Sequence, residues 1–268
     1  MKVSGNPELM YALRKTALDV SVMNIAELDR NWNFANMRAS FTRVYIPLQG
    51  SAQIHIGGRT VELEVGRIYV IPYGTCFSCS CRESMKKMYF HFNLRCPQGH
   101  DFFEGRESVI VLDDEEALSV KMSELYERDD VASAIMMKAM LYEIVEKAIA
   151  RIPASGEKIK EFSEYTDKAI KYIEGHVNAR LTVSEISDAL FVSKQVLQKR
   201  FKEDVGKPIG KYIDDRVMEK AERYLLSRQY SLAEISERLG FCDQFYFSRR
   251  FTETHGVSPM RFRKMHNM

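Results

Sequence analysis

Between residues 40 and 94, hydrophobic and polar positions alternate in short bursts. Ala52, Ile54 and Ile56 alternate with Gln53 and His55, and Val61, Leu63 and Val65 alternate with Glu62 and Glu64. A period of two sends successive side chains to opposite faces of a strand. Gly57-Gly58 between the two runs supplies the positive backbone angles of a two-residue hairpin turn. Gly66, Pro72 and Gly74 punctuate further turns around Ile68-Tyr69-Val70-Ile71, and Lys87 to Leu94 predicts a long final strand. Short strands with frequent turns predict a small barrel or sandwich.

The period changes after about Asp113. Met137, Leu141, Ile144, Val145, Ala148 and Ile152 recur at helical spacing and form one wide apolar stripe. Two burials fit that stripe: the barrel of the same chain, or a second copy in a homodimer. Ile152-Pro153-Ala154-Ser155-Gly156 then breaks the helix and reads as a linker. Everything beyond it has helical character, including Ile209 to Leu226 with Ile213, Val217, Ala221 and Leu225 on one face. The predicted class is α+β: a barrel with a helical hairpin over residues 1–152, then an all-α domain over 153–268.

Within the helical half, ten residues occur twice. Leu181-Thr182-Val183-Ser184-Glu185-Ile186-Ser187-Asp188-Ala189-Leu190 reappears as Tyr230-Ser231-Leu232-Ala233-Glu234-Ile235-Ser236-Glu237-Arg238-Leu239, 49 positions later. Further on the match resumes at an offset of 50, with Phe201 answering Phe251, Gly206 answering Gly256 and Tyr212 answering Phe262. The extra residue therefore falls in the turn between two helices. Each copy opens with a capping box, Thr182 with Glu185 and Ser231 with Glu234. Ser193 and Asp243 are placed to cap a second helix in each copy.

That second helix buries Leu197 and Phe201 in one copy and Phe247 and Phe251 in the other. Its opposite face shows Lys194, Gln195, Gln198 and Lys199, and correspondingly Gln244, Phe245, Tyr246 and Arg249. Gln can bond adenine N6 and N7, Arg and Lys favour guanine O6 and N7, and apolar rings can meet thymine methyls. A single polar helix face is most simply a solvated one. Its repetition in the same architectural slot predicts two helix-turn-helix units, residues 182–204 and 231–254, that read double-stranded DNA. About 18 residues of helix between them span roughly 27 Å, which can hold two recognition helices near successive major-groove segments.

Charge and cysteine usage adjust this picture only slightly. From Leu181 onward the chain carries 16 Lys and Arg against 12 Asp and Glu, a net of +4, which leaves −2 for the residues before it. The asymmetry favours nucleic acid on the C-terminal side. The absence of a long apolar run argues against a membrane span, and Met1 to Asn6 lead into no signal-like segment, so a cytoplasmic protein is expected. Cys76, Cys79 and Cys81 cluster in one predicted strand, with Cys79 and Cys81 on one face; redox or metal sensing is an alternative to plain barrel packing.

These residues resemble the AraC/XylS transcriptional regulators, over about Tyr172 to Met265. The strongest element is Gly240-Phe241-Cys242-Asp243-Gln244-Phe245-Tyr246-Phe247-Ser248-Arg249-Arg250-Phe251, followed by Gly256-Val257-Ser258-Pro259. The resemblance implies that Gln195, Gln198, Lys199, Gln244, Phe245, Tyr246 and Arg249 face bases. It further implies a dimeric regulator of promoter DNA that works with RNA polymerase and carries a sensor for a small-molecule effector. A member of the family with no effector is the other reading. No catalytic constellation is visible, so an enzyme is not expected.

The N-terminal half resembles the cupin-type barrel of such regulators. Gly66-x5-Pro72-x-Gly74 is similar to the second cupin motif, but Phe77 stands where metal-binding cupins carry a His, and no His-x-His pair precedes it. The imidazole and carboxylate set of an iron or zinc site is therefore missing, and neither a metal nor a cofactor is expected. Gln49 stands where arabinose-responsive members place the Arg that grips the sugar, and Phe77, Cys79, Lys87 and Tyr89 occupy other sugar-contacting positions. Candidate ligand-binding residues are Trp32, Arg43, Tyr45, Gln49, Tyr89 and His91, with His91 open between a satisfied core residue and a ligand contact.

Overall fold

The structure, a computed structural model, describes residues 5–97, 99–114, 117–153 and 162–266, so residues 1–4 and most of the proposed linker, 154–156, lie outside it. The chain begins with helix α1 (Pro7–Lys15), which is followed by β1 (Ala17–Leu28), β2 (Asn33–Met37), β3 (Thr42–Gly50), β4 (Ala52–Ile56) and β5 (Arg59–Leu63). Then come β6 (Arg67–Ile71), β7 (Phe77–Ser80), β8 (Met85–Arg95) and β9 (Ile110–Asp113). Helices α2 (Leu118–Tyr126) and α3 (Val131–Ala150) follow. The rest is helical: α4 (Glu164–Gly175), α5 (Val183–Ala189), α6 (Lys194–Val205), α7 (Ile209–Ser227), α8 (Leu232–Arg238), α9 (Gln244–His255) and α10 (Pro259–His266).

The chain divides into two compact units. One comprises Leu18–Asn93 and Phe103–Gly156, the other Met1–Ala17, Leu94–Phe102 and Glu157–Asn267.

In the strand-rich unit, a five-stranded sheet of order β1-β8-β3-β6-β9 accompanies a four-stranded sheet of order β2-β7-β4-β5. The predicted hairpin is β4 against β5, Ile54 paired with Val61, with Gly57 and Gly58 at φ +55° and +75° in its turn. β3 and β8 run antiparallel in a register that sets Arg43 opposite His91, Tyr45 opposite Tyr89 and Pro47 opposite Lys87. Alternation along these two strands buries both faces. Arg43, Tyr45, Lys87, Tyr89 and His91 share one face, while Val44, Ile46, Met88, Phe90 and Phe92 occupy the other. Helix α2 packs on β3 and α3 on β9. The stripe Met137, Leu141, Ile144, Val145 and Ala148 of α3 is buried within the chain itself, so of the two burials open from the sequence it takes the first.

In the helical unit the repeat is visible element by element. Helix α5 ends at Ala189 and α8 at Arg238, 49 positions apart, whereas α6 begins at Lys194 and α9 at Gln244, 50 apart. The inserted residue therefore does lie in the turn. Gly206 and Gly256 are left-handed C-caps of α6 and α9. Phe201 meets Tyr212 edge-on at 5.3 Å, and Phe251 meets Phe262 in the same manner at 5.2 Å. Two copies of one small core stand at either end of α7, whose face of Ile213, Val217, Ala221 and Leu225 is buried and which contacts α6, α8 and α10.

Candidate nucleic-acid interface

Each unit presents its second helix because the first is capped and anchored. Thr182 Oγ1 accepts the Glu185 N–H while Glu185 accepts the Thr182 N–H, and Ser231 with Glu234 repeats the arrangement. These bonds hold the Glu185 and Glu234 carboxyls below the usual carboxylate range. Ile186 and Ile235, both 0% exposed, pin the first helices to the core.

The turn differs between copies. Gly240 adopts φ +76°, the left-handed backbone that favours glycine, while a Cβ there would meet Asn178 Oδ1 at 3.4 Å. Phe191 holds the same slot in the first copy, at φ +52° and with its ring 97% exposed.

The second helices start on side-chain caps, Ser193 accepting from the Val196 N–H and Asp243 from the N–H groups of Phe245 and Tyr246. The hydrogen bond from the Tyr246 N–H is the leading reason that the Asp243 carboxyl stays below its ordinary range. Leu197, Phe201, Phe247 and Phe251 are all buried, so the opposite face of each helix is turned to solvent. That face carries Lys194, Gln195, Gln198 and Lys199 on α6, all exposed, and Gln244, Phe245, Tyr246 and Arg249 on α9, likewise exposed. Lys199 is 3.9 Å from Glu203, a distance that water readily screens. The Arg249 guanidinium lies 5.2 Å above the Tyr246 ring, which presents the two side chains together. Arg250, by contrast, is engaged by Asp214 and Glu253.

The two units are also joined directly. The Ala179 N–H donates to Leu239 O at 2.7 Å, and Arg180 Nε donates to Gly240 O at 2.9 Å, so the loop after α4 grips the turn of the second unit. Arg263 bonds the carbonyls of Leu225 and Tyr230 at the far end of α7. Buried Glu222 and His255 add a hydrogen-bonded pair between α7 and α9. Sequence periodicity finds the faces of these helices but gives no sign of such cross-links, which depend on residues 33 to 60 positions apart.

The candidate ligand residues divide. Trp32, Arg43, Tyr45, Tyr89 and His91 are buried in the strand-rich unit, and Gln49 is exposed at the end of β3, away from them. His91 stacks on Phe41 at 4.3 Å. Asn24 Nδ2 donates to the Tyr89 hydroxyl at 3.4 Å. The residue missing from that candidate set is Lys87, whose ammonium lies 3.4 Å from the Tyr45 ring centre and 4.4 Å from that of Trp32. Two signals in the sequence mark it: its place in the alternation with Tyr89 and His91, and its match to a sugar-contacting position of the arabinose-responsive members. Cys76 is exposed while Cys79 and Cys81 are buried. Burial pushes the Cys79 thiol up to about 11 and raises that of Cys81, which keeps both protonated and poorly nucleophilic at neutral pH. Among the described residues no group of three or more His, Cys, Asp or Glu is placed to hold a metal ion.

A duplicated helix-turn-helix with matched, exposed polar faces defines a DNA-binding protein of the helix-turn-helix class. The Helix-turn-helix domain family matches residues 186–265. Over the full length, the chain is similar to the Msm operon regulatory protein of Streptococcus mutans, 23% identical over 269 residues and 92% of each chain. It is 33% identical to the xylose operon regulatory protein of Escherichia coli over 100 residues, 37% of this chain and 26% of that protein. ToxT of Vibrio cholerae shares the fold, with a TM-score of 0.57 at 13% identity, covering 91% of this chain and 97% of ToxT. Its C-terminal helix-turn-helix domain is of the AraC type, and the proteins it is similar to are transcriptional regulators of that kind. Its N-terminal strands form the cupin-like part of a ToxT-like fold. No described helix is long and apolar enough to cross a membrane.

Proposed function

We propose that this regulator binds promoter DNA sequence-specifically through both recognition helices at once, and that its barrel senses a small molecule. Residues 153–268 form the reading domain and 1–152 the sensing one. The observation that carries the DNA reading is the pair of exposed faces on α6 and α9, capped alike and joined through α7 and the Ala179–Leu239 bond. Nineteen residues of α7 span roughly 28 Å, a length suited to successive major-groove segments on one side of B-DNA. In the first helix Gln195, Gln198 and Lys199 read bases beside Lys194, and in the second Gln244, Phe245, Tyr246 and Arg249 do so.

For the sensing half, structures of ToxT have been solved with an unsaturated fatty acid and with a naphthalenyl butenoic acid bound, so a fold of this kind accommodates small molecules. The outer face of α3, with Val131, Ile135 and Tyr142 exposed, offers an apolar surface for homodimerisation. Cytoplasmic location and RNA polymerase as a partner complete the reading, with no catalytic role.

The test is DNA selection from a random pool with the purified chain, followed by titration of the selected site. Gln198→Ala, Lys199→Ala and Arg249→Ala should each weaken binding. Removing a side chain that bonds a base through two hydrogen bonds should cost about 1–3 kcal/mol and relax preference at one base pair. Enrichment of no sequence, or unchanged affinity in all three variants, overturns the proposal.

A further inference from the structure

Among the described residues of the strand-rich unit, the buried basic side chains are Arg43, Lys87 and His91, with no buried Asp or Glu. Arg43 is 0% and Lys87 3% exposed. The Arg43 guanidinium lies over the rings of Phe41 and Phe77, at 4.7 and 5.0 Å. The Lys87 ammonium lies over Tyr45, Trp32 and Tyr89, at 3.4, 4.4 and 5.5 Å, and among the described residues it makes no hydrogen bond or ion pair. Ring faces return only part of the hydration that an ammonium loses on burial. The β3–β8 register puts both cations on one face, at either end of the Tyr45–Tyr89 pair, so they also repel each other. This inner face thus carries two cations and no buried carboxylate, and Lys87 calls for a counter-charge from outside the chain.

We propose that this face recognises a small organic monocarboxylate, whose charged end lies at Lys87 and Arg43 and whose apolar body lies against the surrounding rings. The inference rests on the reading of the barrel as a sensor and names the chemistry sensed. A guanidinium fork matches a carboxylate in two parallel bonds, and an ammonium adds a compact point charge. Trp32, Phe41, Phe77 and Tyr89 favour a flat or unsaturated body over a polyhydroxylated one. Burial first, and then the charge of Arg43, lower the Lys87 ammonium to about 7. The groups around it are Arg43 and Tyr45 on β3, Tyr89 and His91 on β8, and Cys79 and Cys81 on and just after β7. None of these is an anion at neutral pH that could take the place of the ligand. A bound carboxylate requires and restores the protonated ammonium, so binding takes up a proton above pH 7. Apparent affinity then falls about tenfold for each pH unit higher.

The experiment uses the full chain and three acids, benzoate, phenylacetate and octanoate, each paired with its neutral amide, with inorganic phosphate as an anion that lacks a body. At pH 6.5 at least one acid should raise the melting temperature by a few degrees while its amide and phosphate do not. Calorimetric titration at pH 8 in two buffers of different ionisation enthalpy should show uptake of close to one proton. Lys87→Met should abolish the response, and Lys87→Arg should retain it without proton uptake. Equal responses to acid and amide, a response to phosphate alone, no response to any acid at 10 millimolar (about a hundred times an expected ~0.1 millimolar Kd), or an undiminished response in Lys87→Met overturns the inference. Selected-site DNA binding on the same preparation separates the two ideas. If DNA is bound and no acid is, only this inference falls; if no sequence is bound, the proposed function fails independently.

Discussion

Lys87→Met is expected to stabilise the barrel, and to do so in a pH-dependent way. The wild-type ammonium is 3% exposed and faces ring carbons, and its pKa drops from 10.5 to about 7, chiefly because burial disfavours the charged form. At 1.36 kcal/mol for each pH unit, that difference is on the order of 5 kcal/mol of penalty for keeping the proton in the folded state. The sign follows from proton binding. Between pH 7 and 10.5 the unfolded chain holds this proton and the folded barrel does not, so wild-type stability rises with pH across that window. Below pH 7 both states are protonated and the penalty is present in full. Methionine keeps the unbranched apolar stem and removes the charge, which is a near-volume-conserving change. The variant should therefore exceed wild type by roughly 3–5 kcal/mol at pH 6, and the gap should narrow by about 1.4 kcal/mol per pH unit above 7. The assay is urea denaturation followed by fluorescence of Trp32, the single tryptophan, which sits in the same ring cluster and so reports on the barrel alone. Carboxylate buffers must be avoided. A gap that stays flat from pH 6 to 9, or a variant less stable than wild type at pH 6, refutes the reasoning.

Three further outcomes are expected in the helical unit. Phe191→Gly relieves a bulky residue held at φ +52° with its ring in solvent, and should raise the stability of the helical unit by about 0.5–1 kcal/mol in thermal unfolding; a decrease would show that the exposed ring packs against something that matters. Asp243→Ala removes the acceptor for two N–H groups of α9 and should cost about 1 kcal/mol by chemical denaturation, with Asp243→Asn recovering most of it; an equal decrease in both variants would mean that charge, not capping, is at work. Glu222→Ala leaves buried His255 without its carboxylate partner and should cost roughly 3 kcal/mol; amide exchange in α7 and α9 that remains as slow as wild type would contradict this.

The chain's order of residues was sufficient for the two helix-turn-helix repeats of the helical unit. Capping boxes, the Phe201 and Phe251 positions and the 49-to-50 change of offset are local features, and helices form from contacts only a few residues apart. Alternation likewise placed β4 and β5 around Gly57-Gly58 and put Cys79 and Cys81 on one face; that this face is buried while Cys76 is exposed is seen only in the fold. Gln49 is where a position-by-position resemblance outran the fold, because the end of β3 turns it to solvent.

What remained was decided by pairing across the chain. Lys87 reads in sequence as a polar member of an alternating strand at a position where relatives contact sugar, and only its burial beside Trp32 and Tyr45, 55 and 42 positions away, makes it an unsatisfied cation. The bonds from Ala179 and Arg180 to the second turn, and the buried Glu222–His255 pair, are equally non-local. Periodicity determines which face of an element is apolar. Which element covers that face, and which charges are left inside without a counter-charge, depends on sheet register and helix docking, and these exist only once the chain has folded.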